Sequence, residues 1–224
     1  MKTIPDLAHQ RARLSGAALA FVDAETGIGR SFADVDAECG RIAHLLGEHG
    51  LVAGDRVAVL CLNTAVFFPL LFACARARLI LVPLNWRQTV AELAPVVEDC
   101  AARLILFDAA SAPLASDLAA STGVPRRALA ELEAEARAPG PSVAPRAWAA
   151  EAPWYLLYTS GTTGTPKAVI QTAEMAIANA VNIQTATGIG PGSRALCFLP
   201  LFHTAGINLH TLPIFLSGGT SKVV

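Results

Sequence analysis

Three apolar runs decide the fold of this 224-residue chain: RVAVLCL at residues 56–62, LILVPL at 79–84 and RLILF at 103–107. They are dense in aliphatic residues at successive positions, which is typical of strands buried on both faces of a sheet. The segments between them, 64–77 and 89–100, have apolar residues near helical spacing. This alternation predicts an α/β fold, with a mostly parallel sheet flanked by helices.

Upstream of the three runs, apolar residues lie on one stripe over about 33–48, and Gly50 follows, which predicts another helix. Downstream, from about 108 to 152, the composition shifts to alanine, proline, glutamate and arginine. The loss of aliphatic runs predicts a surface excursion, part helix and part loop.

Regular structure is predicted to resume with a strand at 154–158, a return strand at 168–171 and a helix at 173–187 that ends near Gly188. We expect an amino-terminal α/β subdomain over residues 1–187. Residues 188–224 would then be the start of a second α/β subdomain, truncated within a strand.

Composition excludes several classes of function. The 17 basic residues are balanced by 18 acidic ones, and the formal net charge is -1. Without a broad basic field, we expect no nucleic-acid partner. The most apolar stretch, residues 65–75, is much shorter than the ~20 residues that a membrane span requires, so we expect no transmembrane helix. The five cysteines are widely spaced in apolar segments, and the first residues lack a secretory pattern, which favours a cytoplasmic location.

The sequence YTSGTTGTPK, residues 158–167, has the composition of a phosphate-binding loop. Its glycines let backbone amides approach an anion, its hydroxyls add donors, and Lys167 supplies a charge that attracts a triphosphate. A Gly/Thr/Ser-rich hairpin can also be a simple turn. A Walker-type loop does not fit, because two residues separate Gly164 from Lys167 and Ala168 replaces the hydroxyl that would bind magnesium.

Other candidate sites are weaker. His203 and His210 are seven residues apart, but they have no carboxylate or cysteine at metal-ligand spacing, so we expect no metal site there. Ser160 lacks the nucleophile elbow of a serine hydrolase. The glycine-rich segment 188–192 is not a dinucleotide fingerprint and indicates a turn.

The full string YTSGTTGTPK resembles the glycine-rich motif of the adenylate-forming superfamily, which includes acyl- and aryl-CoA synthetases. LPLFHT, residues 199–204, resembles the next motif of that family. The resemblance implies an ATP-dependent carboxylic acid–CoA ligase, with a fatty or aromatic acid as the substrate class. Peptide-synthetase adenylation domains and luciferases share these motifs and remain alternatives.

The resemblance also implies roles for individual residues. ATP would be bound with Mg²⁺, and coenzyme A would be the second substrate. The β- and γ-phosphates would be held by the loop, with Lys167 as the catalytic cation and His203 in the pocket of the carboxylic acid. The implied phosphate-binding residues are Thr159, Ser160, Gly161, Thr162, Thr163, Gly164 and Lys167.

This sequence departs from the family pattern in three respects. Ala168 stands where glycine is usual, and Gln171-Thr172 where a threonine-histidine pair is common. The family's adenine, ribose and carboxy-terminal lysine motifs do not occur before Val224. We therefore expect this chain alone to be inactive in adenylate formation. The alternative is a non-catalytic truncated paralogue or an isolated subdomain that keeps the fold and an anion-binding loop.

Overall fold

The computed structural model describes residues 2–159 and 166–224. The strands are β1 (Thr3–Ile4), β2 (Leu19–Asp23), β3 (Gly29–Ser31), β4 (Arg56–Leu60), β5 (Ile80–Pro83), β6 (Ala102–Phe107), β7 (Arg126–Ala128), β8 (Trp148–Ala149), β9 (Pro153–Thr159), β10 (Lys167–Thr172), β11 (Arg194–Cys197) and β12 (Thr220–Val223). The helices are α1 (Leu7–Ser15), α2 (Phe32–Glu48), α3 (Phe67–Ala77), α4 (Val90–Asp99), α5 (Ala112–Thr122), α6 (Leu129–Arg137), α7 (Ala173–Thr187) and α8 (Thr211–Ser217). A π-helical segment spans Ala205–Leu209.

The largest sheet has the strand order β10-β9-β5-β4-β6-β7. Strands β5, β4, β6 and β7 run parallel, β9 runs parallel to β5, and β10 pairs antiparallel with β9. The runs at 56–62, 79–84 and 103–107 form β4, β5 and β6 to within two residues at each end. The predicted α/β class with a mostly parallel, helix-flanked sheet is confirmed.

Helices cover both faces of this sheet. Val57 and Val59 of β4 belong to the hydrophobic cluster that contains α2 and α3, whereas Ala58 and Leu60 belong to the cluster that contains α4 and α5. Because both faces are buried, the strand has no polar alternation, and its continuous apolar pattern follows from this packing.

The helix boundaries follow local capping chemistry. Ser31 and Asp34 form a capping box at the start of α2, with the Ser31 hydroxyl accepting from the Asp34 amide and the Asp34 carboxylate accepting from the Ser31 amide. Such caps satisfy backbone donors that a helix leaves unpaired. Helix α7 has its predicted bounds and ends at Gly188, whose φ of 71° is favourable for glycine.

Residues 108–152 bury more apolar side chains than their composition predicts. Strand β7 is an edge strand of the six-stranded sheet, and Leu118, Leu129 and Leu132 are buried. The mixture of helix and loop is confirmed, and the segment lies at the surface with one buried face on each of α5 and α6. These helices bury isolated leucines among alanines, so the segment lacks the dense aliphatic runs that mark a core strand.

A second sheet has the order β11-β12-β2-β3. Strands β11 and β12 are parallel, β12 is parallel to β2, and β2 is antiparallel to β3. Strands β2 and β3, near the beginning of the chain, were not predicted from the sequence. This sheet combines strands from both sides of residue 187, and the division into subdomains 1–187 and 188–224 stays a prediction.

A cluster of phenylalanines packs the second sheet against α3. Phe21 of β2 stacks on Phe68, with ring centroids 4.5 Å apart, and lies 5.6 Å from Phe215 of α8. Phe72 lies 4.6 Å from the same Phe215 ring. Offset aromatic pairs at these separations contribute about 0.5–1.5 kcal/mol beyond the burial of their area. The cluster therefore fixes the second sheet to the helix layer of the first.

Five cysteines are free and buried: Cys39, Cys61, Cys74, Cys100 and Cys197. Burial raises the pKa of each thiol, to about 11 for Cys100. They are therefore core side chains with low thiolate content. Among the helices in the described ranges, none has both the length and the apolar content to cross a membrane.

Replacing Ala101 by glycine should raise the free energy of unfolding by up to about 1 kcal/mol. Ala101 is exposed between α4 and β6 and has a φ of 47°, a left-handed conformation that costs a residue with a Cβ more than glycine. Urea denaturation measures the change. The control is Ala120→Gly in α5, which should lower stability by about 1 kcal/mol. Equal losses in both variants would contradict the prediction.

Candidate active site

A cleft lies at the carboxyl ends of β5 and β9. Ligands of open α/β sheets bind at this edge, in the crevice beyond the strand ends. The cleft has a volume of about 480 Å³, within the range of small-molecule sites. Its walls include Asn85, Glu92, Val96, Tyr158, Thr159 and His203.

The β9–β10 hairpin carries the predicted phosphate-binding loop. Thr159 ends β9, lines the cleft and pairs with Lys167, the exposed first residue of β10. Directly opposed residues of antiparallel strands share one face, with Cβ atoms about 5 Å apart. Lys167 therefore extends from the same face as Thr159. The other predicted loop ligands lie outside the described residues, and their role stays a prediction: Ser160, Gly161, Thr162, Thr163 and Gly164.

His203, the predicted acid-binding residue, lines the same cleft. Its amide donates to the Pro200 carbonyl at 3.1 Å, and its imidazole is exposed. The neighbouring Phe202 is buried, with its ring centroid 4.5 Å from that of the imidazole. The fold thus brings Thr159 and His203, from two separate sequence motifs, to one cleft.

Asn63 holds the segment that precedes His203. Its Nδ2 donates to the Leu199 carbonyl at 3.2 Å, and its Oδ1 accepts from the Leu201 amide at 3.2 Å. One side-chain amide therefore satisfies a donor and an acceptor of the same short segment. Asn63 was not predicted from the sequence. The available signal was its position just after a buried parallel strand, at the edge where site residues gather.

An aromatic and cationic contact joins the loop after β5 to the same segment. Trp86 meets Phe202 edge to face with centroids 6.3 Å apart, and the Arg87 guanidinium carbon lies 4.6 Å from the Trp86 centroid and 5.6 Å from that of Phe202. Cation–π contacts of this kind contribute about 0.5–1 kcal/mol at exposed sites. Trp86 and Arg87 were also not predicted from the sequence, although they lie just after the predicted strand at 79–84.

Two polar groups of the cleft are held by local partners. Hydrogen bonds from the Thr89 amide and hydroxyl, each 2.8 Å, lower the pKa of Glu92 and keep this carboxylate ionised at the start of α4. Burial, together with a 2.5 Å hydrogen bond to Asp99, raises the pKa of Tyr158. Tyr158 is therefore a neutral donor, and Glu92 is occupied by its helix cap.

Comparison with known protein families identifies the family of this chain. The model of the family described as AMP-binding enzyme matches residues 8–224, nearly the whole chain. The chain belongs to the AMP-binding enzyme family. The resemblance found in YTSGTTGTPK and LPLFHT is thereby confirmed at the level of the family.

Curated relatives of the chain include acyl- and aryl-CoA ligases. It is 30% identical over 215 residues to the long-chain-fatty-acid–CoA ligase FadD13 of Mycobacterium tuberculosis, covering 92% of this chain and 42% of that protein. It is 34% identical over 211 residues to a feruloyl-CoA synthase of Amycolatopsis, covering 94% and 42%. The chain thus spans less than half the length of these relatives.

Solved structures agree with this placement. The o-succinylbenzoate–CoA synthetase of Bacillus subtilis in complex with an acyl-adenylate matches with a TM-score of 0.88 and 27% identity, covering 100% of this chain and 56% of that one. The same synthetase in complex with ATP and magnesium matches with a TM-score of 0.85 and 26% identity, covering 100% and 58%.

The substituted positions of the family pattern, Ala168 and Gln171-Thr172, lie in β10. Ala168 is exposed and pairs with Tyr158. Thr172 accepts a hydrogen bond from the Met175 amide at 3.3 Å and caps α7, while the Gln171 side chain accepts one from Asn208 at 3.2 Å. Each of the two polar departures thus has a structural partner.

Proposed function

We propose that the chain supplies the pyrophosphate-binding side and part of the acid pocket of an ATP-dependent carboxylic acid–CoA ligase. The observation that carries the proposal is the meeting of Thr159, from the glycine-rich motif, and His203, from the LPLFHT motif, in one cleft at the carboxyl edge of a parallel sheet. Membership in the AMP-binding enzyme family supports it, as do relatives named as fatty-acid and feruloyl ligases.

The proposed reaction has two steps. A carboxylate oxygen of the acid attacks the α-phosphorus of ATP, the bond from that phosphorus to the bridging oxygen breaks, and pyrophosphate leaves with the electron pair. The thiolate of coenzyme A then attacks the acyl carbon of the adenylate, and AMP leaves. We propose fatty or aromatic acids as the substrate class, in keeping with the named relatives.

The contribution of this chain is to position and neutralise the leaving group. The Thr159 hydroxyl, with Ser160, Thr162, Thr163 and the amides of Gly161 and Gly164, would hold the β- and γ-phosphates. Lys167 projects from the face of the hairpin that carries Thr159, where its ammonium would offset the charge that develops on pyrophosphate. Such electrostatic positioning supplies most of the catalysis of phosphate chemistry.

His203 would contact the carboxylic acid within the cleft. Its exposed imidazole is held by the turn to Pro200 and by the packing of Phe202. Mg²⁺ bound with ATP would supply further charge neutralisation. In the described part of the chain, no group of three or more His, Cys, Asp or Glu side chains could hold a metal ion by itself, and we assign no residue to the cation.

Replacing Lys167 by alanine should weaken pyrophosphate binding by about 10- to 100-fold. The reason is the loss of a charge-assisted hydrogen bond, which contributes about 1.5–3 kcal/mol. Isothermal titration of the 224-residue chain with magnesium pyrophosphate at fixed ionic strength measures the affinity.

Lys222→Ala is the matched control, because Lys222 is an exposed lysine on β12. It should leave the affinity unchanged. Equal affinities of the Lys167→Ala variant and the unmodified chain would refute the role given to Lys167. Acid-dependent exchange of pyrophosphate into ATP, measured with a panel of fatty and aromatic acids, then tests whether the chain forms the adenylate by itself.

A further inference from the structure

Asn208 is the centre of a buried polar network behind the cleft. It lies in the π-helical segment Ala205–Leu209 and is 9% exposed. Its Oδ1 accepts from the Tyr155 hydroxyl at 2.8 Å, and its Nδ2 donates to Gln171 Oε1 at 3.2 Å and to Thr204 Oγ1 at 3.0 Å. Both donors and the acceptor of one amide are therefore used, which is the arrangement that makes a buried amide favourable.

The network connects the two motifs of the candidate site. Tyr155 and Gln171 are directly opposite each other across the β9–β10 pair. Along these same strands, Thr159 and Lys167 lie four residues nearer the loop, a distance of about 13 Å. On the other side of the network, Thr204 directly follows His203. A single side chain thus touches both strands of the phosphate-binding hairpin and the residue next to the acid-binding histidine.

The backbone at Asn208 is also engaged. Its carbonyl accepts a hydrogen bond of 2.6 Å from Asn179 on α7. Turns of π-helix are rare and occur frequently at functional sites. Burial raises the pKa of Tyr155, so its hydroxyl remains a donor to Asn208. The segment is therefore fixed from β9, β10 and α7 together.

We propose that Asn208 is a positioning residue that holds His203 in register with the phosphate-binding hairpin. The proposal rests on the function proposed above, in which the hairpin binds pyrophosphate and His203 binds the acid. It also gives the unusual Gln171 a purpose, because this residue supplies the β10 contact of the network. Binding of pyrophosphate at the hairpin restricts the segment that carries His203, because Asn208 joins the two through its hydrogen bonds to Gln171 and Tyr155.

Hydrogen exchange measured by mass spectrometry tests this coupling. In the unmodified chain, saturating magnesium pyrophosphate should slow exchange at residues 155–159 and also at 204–210. Gln171→Met keeps the side-chain length but removes the acceptor. In this variant, protection at 155–159 should persist, whereas the added protection at 204–210 should fall. Asn208→Leu cuts both strand contacts and should abolish the added protection at 204–210.

A ligand-free measurement keeps the two proposals separable. Without pyrophosphate, Gln171→Met should speed exchange at 204–210 by about 2- to 10-fold, the effect of losing one hydrogen bond. Gln184→Met on α7, the same substitution outside the network, should have no effect in either experiment. A lack of protection at 155–159 in the unmodified chain contradicts the phosphate site. The positioning role is overturned if exchange at 204–210 is unchanged in both Gln171→Met and Asn208→Leu. It is also overturned if pyrophosphate still gives the full added protection at 204–210 in Asn208→Leu.

Discussion

Replacing Arg76 by methionine should lower the free energy of unfolding by about 3–5 kcal/mol. Arg76, near the end of α3, is 3% exposed and makes a bidentate pair with Asp6, with distances of 2.7 and 3.0 Å. It also contacts the Asp36 carboxylate at 2.5 Å and donates to the Asp36 carbonyl at 3.1 Å. Methionine fills the volume of the side chain but leaves two carboxylates in a poorly hydrated position without their cation.

The structure indicates why this arginine stays charged. Burial by itself would lower the pKa of Arg76, but the hydrogen bonds and charges of Asp6 and Asp36 raise it above the ordinary value. Its removal therefore breaks an ion-paired unit that joins α1, α2 and α3, rather than a surface contact.

Urea denaturation of three variants checks this expectation. Arg78→Met, the same change at the exposed residue that follows α3, should alter stability by less than about 0.5 kcal/mol. The triple variant Arg76→Met, Asp6→Asn, Asp36→Asn should recover part of the loss, because it removes the unpaired charges. A loss below about 1 kcal/mol in Arg76→Met would contradict the importance of this buried pair.

The sequence predicts the centre of the fold well because burial on both faces leaves a strong local signal. Strands β4, β5 and β6 are continuous aliphatic runs, and α7 ends at a glycine in the left-handed conformation. Strands β2 and β3 carry no such signal. Strand β2 is stabilised by pairing with β12, almost the whole chain away, and this partner cannot be inferred from local periodicity.

The candidate site was predictable where it follows sequence motifs and unpredictable where it depends on tertiary contacts. Thr159 and His203 were found from YTSGTTGTPK and LPLFHT, and both line the cleft. Asn63 and Asn208 belong to no recognisable sequence motif. Their importance arises from the hydrogen bonds that they make to distant segments. A single asparagine has no periodicity or spacing that would reveal such partners.

Replacing Gly206 by alanine should have the second large effect, a loss of about 3 kcal/mol or more in stability together with displacement of His203. A Cβ at this position would lie 2.2 Å from the Pro200 carbonyl oxygen and 2.7 Å from that of Leu199. Both are backbone atoms, so no side-chain rotation relieves the overlap. Asn63 holds the same segment from its other side, which limits how far it can move away.

Urea denaturation and the NMR signals of the His203 imidazole measure the two effects of Gly206→Ala. The matched control is Gly47→Ala in α2, where a Cβ would meet nothing within 4 Å, and which should raise stability by up to about 1 kcal/mol. Combining Gly206→Ala with Asn63→Ala frees the segment to move. The double variant should therefore lose less stability than the sum of the losses in the two single variants. Wild-type stability with unchanged His203 signals in Gly206→Ala would show that the backbone contact does not set the position of the histidine.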